Sequence, residues 1–396
     1  MTIGGPPGDG KVDAGRRPVL SPAALADRYE SQLHETRTAA WLGLGLGLTF
    51  GLCFLTGVWS HLAQDPPGWF TYPARPAGLY RVTQGVHVIS GTAAIPLLLA
   101  KLWVVHPRLL GWPPARSLLH AVERVALLPL VGGALFQLVS GTLNVARWYP
   151  WSFFFPRAHF WAAWITVGAP VVHVGAKAAA TRDAVRARPA WPDAARARPS
   201  DRRAFLGGVV AVSGAVAVAV AGGTVSALDR VSVLAQRRPG SGPQGLPVNK
   251  SAAGARVVDL ARDPAWRLVV EGGVERPLSL SLDELWALPQ REAVLPIACV
   301  EGWSASAHWT GVPVCDLLAL AGRNDPAEVT VESLQPRGLY RASELNRDQS
   351  GDPDTLLALA LDGEELHIDH GFPARLIGPN RPGVLQTKWV SRMVVR

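Results

Sequence analysis

Cysteine is scarce in this sequence, with only three residues in a chain of 396. Three cysteines cannot form the framework of several disulfides that holds a small secreted domain together, so that class of protein is excluded. Cys53 lies inside an apolar run and is interpreted as a small packing residue. Cys299 and Cys315 lie in the more polar C-terminal part, where a single bridge between them stays open as an alternative. The polar and basic N-terminus predicts no cleavable signal peptide.

Acidic residues are too few to balance the basic ones: 31 Asp and Glu stand against 39 Lys and Arg, which gives a net charge of +8. A basic excess can indicate a nucleic-acid-binding protein. Here the arginines cluster in short segments between long apolar runs, and hydrophobic residues make up 48% of the chain. That pattern is typical of a membrane protein with basic cytoplasmic loops, so we expect a lipid bilayer and no nucleic acid as a partner.

Five apolar segments before residue 230 have roughly the 20 residues that a bilayer core requires of a helix. They are residues 38–60, 83–105, 120–144, 159–180 and 205–228. We predict an all-α transmembrane bundle of five spans, in which residues 38–180 form a four-helix domain. The positive-inside rule places the basic loop 181–204 in the cytoplasm. The flexible N-terminal tail, residues 1–37, then lies on the same side, and the C-terminal domain lies outside the plasma membrane.

Histidines occur inside the predicted spans, where ionisable residues are costly and usually functional. His87 lies in the second span, and His159 and His173 lie in the fourth. A separation of 14 residues corresponds to about 21 Å along a helix and returns almost to the same face. The spacing of His159 and His173 is similar to that of the histidines that hold two stacked haems in b-type cytochromes. The resemblance implies one or two b-type haems, the outer one between His87 and His159.

The inner haem site is less defined by the sequence. Lys101, and no histidine, stands 14 residues beyond His87. His120 or His106, near the inner surface, could complete a site with His173. An alternative is that the histidines of the spans cap helix ends in the membrane interface.

After a linker at residues 229–248, the pattern changes. Short alternating segments such as "WRLVVEG" and "AEVTVESL" predict strands, and "SLDELWAL" and "VCDLLALAG" predict short helices. We predict a mixed α+β domain, mostly β, over residues 249–396, with Cys315 in its core.

Two segments of this domain resemble the sulfite oxidase family, most closely its methionine sulfoxide reductase branch. The first is "CVEGWSASAHWTGVPVCDLL", and the second is "LALALDGEELHIDHGFPARLIGPNRPGVLQTKWV". The resemblance covers about residues 245–396 and implies a molybdopterin-binding fold. It also implies that Cys299 is the catalytic residue and the molybdenum ligand. One protein thiolate is enough where a pterin dithiolene supplies the other soft sulfur donors.

The same resemblance implies which residues contact the pterin. His370, Arg375 and Lys388 occupy the cofactor-contacting positions of the family. Asn249 and Lys250, at the start of the domain, are weaker candidates. The alternative for each is an ordinary surface residue. A phosphate group on the pterin requires donors of this kind.

The residues after Cys299 depart from the sulfite oxidases, in which a basic stretch suited to an oxyanion follows the cysteine. This chain has Val300, Glu301 and Gly302 there, which argues against sulfite as the substrate. His308, Trp309 and Arg337 are predicted to line the substrate pocket.

These features predict a membrane-bound molybdopterin-dependent oxidoreductase. Two-electron oxygen-atom transfer at molybdenum, on a sulfoxide, sulfite or similar compound, would be coupled through haem to a membrane quinone. One alternative is a membrane-anchored binding module with a metal-free domain. Another is a haem-only quinone redox protein.

The stretch before the fifth span suggests how a folded, cofactor-loaded domain would cross the membrane. Asp201-Arg202-Arg203-Ala204-Phe205-Leu206 is similar to a twin-arginine export signal of prokaryotes, although Gly207 stands where a lysine is common. The alternative is that Arg202 and Arg203 only obey the positive-inside rule.

Overall fold

The computed structural model describes residues 33–109, 118–150, 152–153, 155–186, 199–235, 237 and 240–396. Its N-terminal half consists of five long helices: α1 (Thr36–Gln64), α2 (Leu79–Leu109), α3 (Leu118–Val145), α4 (Phe155–Arg186) and α5 (Pro199–Ala221). Each contains one predicted span or most of it. Most of the N-terminal tail, residues 1–32, and the middle of the basic loop, residues 187–198, lie outside the described residues.

Four stretches of the described helices are long and apolar enough to cross a membrane: Thr36–Gln64, Leu79–Pro107, Arg124–Val145 and Asp201–Ala221. Helix α4 has 32 residues but is not among these four. Its second half carries Lys177, Arg182, Asp183 and Arg186, and charged side chains lower the mean hydropathy. Four candidate spans are thus found where five were predicted.

The fifth predicted span extends too far. Helix α5 ends at Ala221, whereas the prediction continued to residue 228. Gly222 follows the helix, its N–H donates to Ser232 Oγ at 2.7 Å, and a Cβ on it would lie 2.6 Å from Ser232. The chain therefore folds back on the helix end, and residues 226–231 form a 3-10 helix.

The C-terminal domain consists of ten strands and five short helices among the described residues. The strands are β1 (Leu268–Gly272), β2 (Leu278–Leu280), β3 (Arg291–Ala298), β4 (Ser304–Pro313), β5 (Val329–Ser333), β6 (Ala342–Leu345), β7 (Leu356–Leu361), β8 (Glu364–Glu365), β9 (Arg375–Ile377) and β10 (Val390–Val395). The helices are α6 (Ala252–Ala255), α7 (Val258–Arg262), α8 (Leu282–Ala287), α9 (Val314–Leu320) and α10 (Arg347–Gly351). The mixed, mostly β class is confirmed.

Two five-stranded sheets organise the domain. One has the order β2-β1-β10-β5-β6, and the other has the order β3-β4-β7-β8 with β9 paired to β7. Only the β1–β10 pair is parallel among the pairs of strands in the described residues. Strand β7, "LLALAL", is buried at every position, as expected for a strand covered on both faces.

The domain docks on one end of the helical bundle. The segment between α1 and α2 and the first turn of α2 hold it. Arg75 Nε lies 2.8 Å from the Asp352 carboxylate, and the Tyr80 N–H donates to Asn380 Oδ1 at 2.7 Å. Asn380 Nδ2 also donates to the Pro73 carbonyl at 2.7 Å. This is the end of the bundle formed by the segments that the sequence assigns to the outside.

Candidate functional site

Cys299 follows the last residue of β3 and opens a tight turn. Its N–H donates to the Trp303 carbonyl at 2.8 Å, and its carbonyl accepts from the Gly302 N–H at 3.0 Å. Gly302 has φ +87°, a left-handed conformation that glycine adopts without strain. The turn presents a thiol that is 1% exposed, and Asn249 Nδ2 donates to its Sγ at 2.7 Å.

The surroundings of Cys299 oppose its ionisation in the absence of a metal. Burial, together with the nearby Glu301 carboxylate, raises the pKa of the thiol to about 12. A coordinated cation reverses this effect, because a metal-bound thiol is deprotonated. No three His, Cys, Asp or Glu side chains converge into a metal-binding group in the part of the chain that the structure describes. A metal at Cys299 therefore needs ligands that a cofactor brings, which fits a pterin dithiolene.

None of the three cysteines, all described, forms a disulfide, so the alternative Cys299–Cys315 bridge is wrong. Cys315 is only half-buried at the start of α9, and its Sγ lies 3.5 Å from Asp316 Oδ1. The prediction that it belongs to the core is therefore only partly met. Cys53 packs against α2, where a Cβ on Gly91 would lie 3.3 Å from its Sγ.

A group of buried cations lies near Cys299. Arg375 is 3% exposed; its Nη1 donates to the His370 carbonyl at 3.1 Å, and its guanidinium lies 5.3 Å from the Trp309 ring centroid. Lys388 Nζ donates to the Asp369 carbonyl at 2.6 Å. Burial lowers the pKa of Arg375 to about 9. Burial, together with the Arg375 charge, lowers the pKa of Lys388 to about 7.

This group is arranged for an anion. The Arg375 Nε atom and the His370 Nδ1 atom are buried and have no hydrogen-bond partner among the described residues. His370 Nε2 donates to the Pro243 carbonyl at 2.6 Å, and burial lowers the His370 pKa to about 4, so this histidine is neutral. Its Nδ1 is then an acceptor, which suits an N–H group of the pterin and not the phosphate. Buried cations without a paired carboxylate are costly, and a phosphate would satisfy them. The residues present thus fit a phosphorylated pterin.

The other predicted site residues divide between the site and the surface. Lys250 is exposed, and its Nζ donates to Gln335. Trp309 is fully buried beneath Arg375, whereas His308 and Arg337 are exposed. Successive strand residues face opposite sides, so His308 and Trp309 cannot line one pocket. The inclusion of His308 in the pocket is therefore wrong, and no contact of Arg337 with the site is found.

Two charged residues of the site were missed in the sequence. Arg237, in the predicted linker, donates to Asn249 Oδ1 and lies 3.5 Å from Glu301 Oε2. Arg147, after α3, lies 3.3 Å from Glu301 Oε1. Neither arginine lies in a motif, and only the tertiary structure brings them together.

Two of the predicted haem ligands face each other inside the bundle. The rings of His87 and His159 have centroids 6.2 Å apart, at an interplanar angle of 79°. Both line a cavity of about 190 Å³ between the helices. A metal ion about 2 Å from each coordinating nitrogen, as imidazole binds zinc, would separate the two centroids by about 6 Å. The observed separation fits an ion shared by the two rings.

The hydrogen bonds of both rings leave the same nitrogen available. His87 Nδ1 donates to the Cys53 carbonyl at 2.7 Å. His159 Nδ1 lies 3.0 Å from Ser140 Oγ, and this hydroxyl can accept because its own hydrogen points to the Gln137 carbonyl at 3.4 Å. Such bonds fix the tautomer of metal-binding histidines. Nε2 is therefore the nitrogen that each ring has available for a metal ion.

Glycines make room for these rings. A Cβ on Gly57 of α1 would lie 2.9 Å from the His87 ring, and a Cβ on Gly141 of α3 would lie 3.5 Å from the His159 ring. The inner site stays a prediction. The His120 side chain lies outside the described residues, and the ring of His106 packs on that of His34 with centroids 5.3 Å apart.

The cavity lined by His87 and His159 and the turn at Cys299 share a wall. Val300, the residue after Cys299, lines the cavity together with His87 and His159. Its carbonyl accepts from Gln84 Nε2 of α2 at 3.1 Å and from Asn144 Nδ2 of α3 at 3.2 Å. The two predicted redox sites are therefore adjacent.

Comparison with known proteins finds relatives of the C-terminal domain. Residues 255–396 match the family model described as oxidoreductase molybdopterin binding domain. The chain is 36% identical, over 35% of its length and 51% of the relative, to a "Putative protein-methionine-sulfoxide reductase subunit YedZ1" of Azospira oryzae. It is 33% identical, over 32% of its length and 46% of the relative, to the "Protein-methionine-sulfoxide reductase catalytic subunit MsrP" of Xanthomonas campestris.

Another relative is the mitochondrial sulfite oxidase of Rattus norvegicus, which is 32% identical over 34% of this chain and 30% of its own length. The chain thus spans about half the length of these relatives, or less. The matched segment contains the buried thiol and the cation group described above. Residues 255–396 form an oxidoreductase molybdopterin-binding domain of the sulfite oxidase type.

Proposed function

We propose that this chain is a membrane-bound oxidoreductase in which a b-type haem, held by His87 and His159, exchanges electrons with a molybdenum centre at Cys299. The observation that carries the proposal is the cavity lined by both histidines, because its wall includes the residue next to Cys299. When bound, the cofactors would supply two-electron oxygen-atom transfer at molybdenum and one-electron transfer at haem.

The chain itself would bind and orient these groups. Cys299 would ligate the metal, and the donor Asn249 Nδ2, 2.7 Å from Sγ, would stabilise the thiolate. Arg375 and Lys388 would bind the phosphate of the pterin, and neutral His370 would present Nδ1 as an acceptor. Lys250, exposed at the edge of this group, would make at most a peripheral contact.

The substrate would be a small oxo compound, and sulfoxides and sulfite are the classes to test. Both are suggested by the printed names of the relatives, and the absence of a basic stretch after Cys299 favours a sulfoxide. A membrane quinone would be the other redox partner. Helix α4 packs on α1 and α3, and the N-terminus of α4 lies at the end of the bundle that contacts the domain. This packing supports α4 as one of five membrane crossings. With five crossings, the N-terminus of the chain would be cytoplasmic and the C-terminal domain would be extracytoplasmic.

Haem binding can be tested by spectroscopy. Purified wild type should contain molybdenum and show a reduced-minus-oxidised haem band. His87→Ala and His159→Ala should each abolish or greatly weaken the band, because each removes an axial ligand. His308→Ala is the matched control, because His308 is exposed on β4 and should leave the band unchanged. A haem-free wild-type protein from haem-sufficient cells would contradict the proposal, and a metal-free protein would favour the binding-module alternative.

A further inference from the structure

The three residues after Cys299 all contact the helical bundle. Val300 lines the cavity of His87 and His159. The Gly302 carbonyl accepts from Thr224 Oγ1 at 3.0 Å, and a Cβ on Gly302 would lie 2.8 Å from a methyl group of Val88. The segment Val300–Gly302, which we call the docking tripeptide, therefore faces the membrane helices.

Charge also holds the docking tripeptide in place. The Glu301 side chain is mostly buried, at 12% exposure, and lies 3.3 Å from Arg147 and 3.5 Å from Arg237. Arg147 follows α3, and Arg237 belongs to the segment that follows α5. A carboxylate bound by two arginines from different segments fixes the tripeptide more firmly than either contact alone.

The most specific contact is made by the Val300 carbonyl. It accepts two side-chain amides, Gln84 Nε2 at 3.1 Å and Asn144 Nδ2 at 3.2 Å. Both donors are buried, and both line the cavity that contains the two histidine rings. Gln84 lies on α2, three residues before His87, and Asn144 lies on α3, three residues after Gly141, whose missing side chain makes room for His159.

From this arrangement we propose that the Val300 peptide is the electron-transfer contact between the molybdenum site and the haem, and that Gln84 and Asn144 are positioning residues that hold it against the haem. The inference rests on the proposed function, because it assumes a haem at His87 and His159. It adds a role for the docking tripeptide, which replaces the basic stretch of the sulfite oxidases.

The electrons balance in both directions. For each electron that crossed the Val300 peptide towards Cys299, a haem held by His87 and His159 would lose one electron and a molybdenum centre at Cys299 would gain one. Two such transfers match the reduction of a sulfoxide, which takes up two electrons and two protons to give a thioether and water. A quinol would return the two electrons to the haem, releasing two protons.

The test uses Gln84→Met and Asn144→Leu, which keep the side-chain volume and remove the donors. Thr83→Val is the matched control, because the Thr83 hydroxyl bonds to the Tyr80 carbonyl of its own helix. One electron is injected photochemically into oxidised, detergent-solubilised holoenzyme. The haem absorbance and the molybdenum EPR signal report how this electron redistributes between haem and molybdenum, so that no substrate is needed.

We expect electron redistribution to slow about fivefold in each variant and about 25-fold in the double variant. The reason is that the loss of one typical hydrogen bond lowers the population of the docked Val300 peptide about fivefold. The haem band, the haem content and the molybdenum content of the variants should stay at the wild-type level. A variant that was only destabilised would lose part of its cofactors. In cofactor-free chain, amide hydrogen exchange at residues 299–303 should be faster in both variants than in Thr83→Val.

Unchanged redistribution in the double variant, with full haem and molybdenum content, would overturn the electron-transfer contact and leave the proposed function standing. Loss of haem or molybdenum in the variants would also overturn it, because Gln84 and Asn144 would then serve cofactor binding. A wild-type protein without a haem band would overturn both proposals.

Discussion

Replacing Lys388 by methionine should change the stability of the cofactor-free protein and its affinity for the pterin in opposite directions. Lys388 is buried among cations, and burial with the Arg375 charge lowers its pKa from 10.5 to about 7. An ammonium in that position is unfavourable until an anion binds. Lys388→Met removes the unfavourable charge while keeping much of the side-chain volume.

The sign of the pH effect follows from the number of bound protons. Between about pH 7 and 10.5 the unfolded chain keeps the Lys388 proton and the folded, cofactor-free chain does not, so the free energy of unfolding rises with pH. A lowering of 3.5 units, from 10.5 to about 7, corresponds to at most about 5 kcal/mol in total. The part gained between about pH 6 and about pH 9 is about 2–3 kcal/mol.

The assay compares full-length protein purified from cells that cannot make molybdopterin with protein from normal cells. Thermal unfolding of the cofactor-free wild type should shift upward from about pH 6 to about pH 9, and Lys388→Met should flatten this rise. Lys250→Met is the control, because its ammonium is exposed to solvent. In normal cells, Lys388→Met should lower the pterin affinity about ten- to 150-fold, the effect of one lost charged hydrogen bond.

Two results would refute this reasoning. If Lys388→Met lowered the stability of the cofactor-free protein at every pH, Lys388 would be a structural residue of the fold. If the variant retained wild-type pterin content under limiting cofactor, the buried cations would not be a phosphate site.

Other variants test the remaining assignments. Cys299→Ser should abolish molybdenum binding and turnover in a folded chain, whereas Cys315→Ser should be tolerated, because Cys315 is half-buried at a helix start; full turnover in Cys299→Ser would exclude the ligand role. Gly302→Ala should lower the melting temperature of the domain, because its Cβ would lie 2.8 Å from Val88 at a positive φ; an unchanged melting temperature would mean that the tripeptide is not docked in this way. Arg202→Lys with Arg203→Lys keeps the positive charge but should prevent the domain from reaching external protease if export uses the twin-arginine route, and normal protease accessibility would exclude that route.

The helices and the domain class could be predicted because each rests on local pattern. Apolar runs of bilayer length became α1 to α5, and alternating residues became strands. The end of α5 was missed, since the run stays apolar through Val225 while the chain turns at Gly222 to meet Ser232. Hydropathy measures burial in lipid or protein alike, so it cannot mark where a helix leaves the membrane.

The cofactor site was predictable only as far as its motifs reach. Cys299, Arg375 and Lys388 stand in recognisable segments, and the structure places all three near one another. Arg237 and Arg147 have no such context, because each acquires its role only through Glu301, on a distant segment. Residues that neutralise a buried charge can come from any segment that the fold brings near.

The docking tripeptide is a further case in which the role of residues depends on tertiary contacts that the sequence does not reveal. In the sequence, Val300, Glu301 and Gly302 differ from the basic stretch of the sulfite oxidases. This difference predicts only that the chain lacks a basic site for an oxyanion substrate. In the structure the Val300 carbonyl accepts from Gln84 of α2, and the Gly302 carbonyl accepts from Thr224, which follows α5. The Glu301 carboxylate pairs with Arg147, which follows α3, and with Arg237. Under the proposed function, the helical bundle is the redox partner of the domain, and electron transfer between them needs a fixed contact close to Cys299. Residues that are held against a helical bundle in this way cannot at the same time bind an oxyanion substrate. We therefore propose that the fusion to the helical bundle accounts for this departure, and that a substrate would be bound by other residues around Cys299.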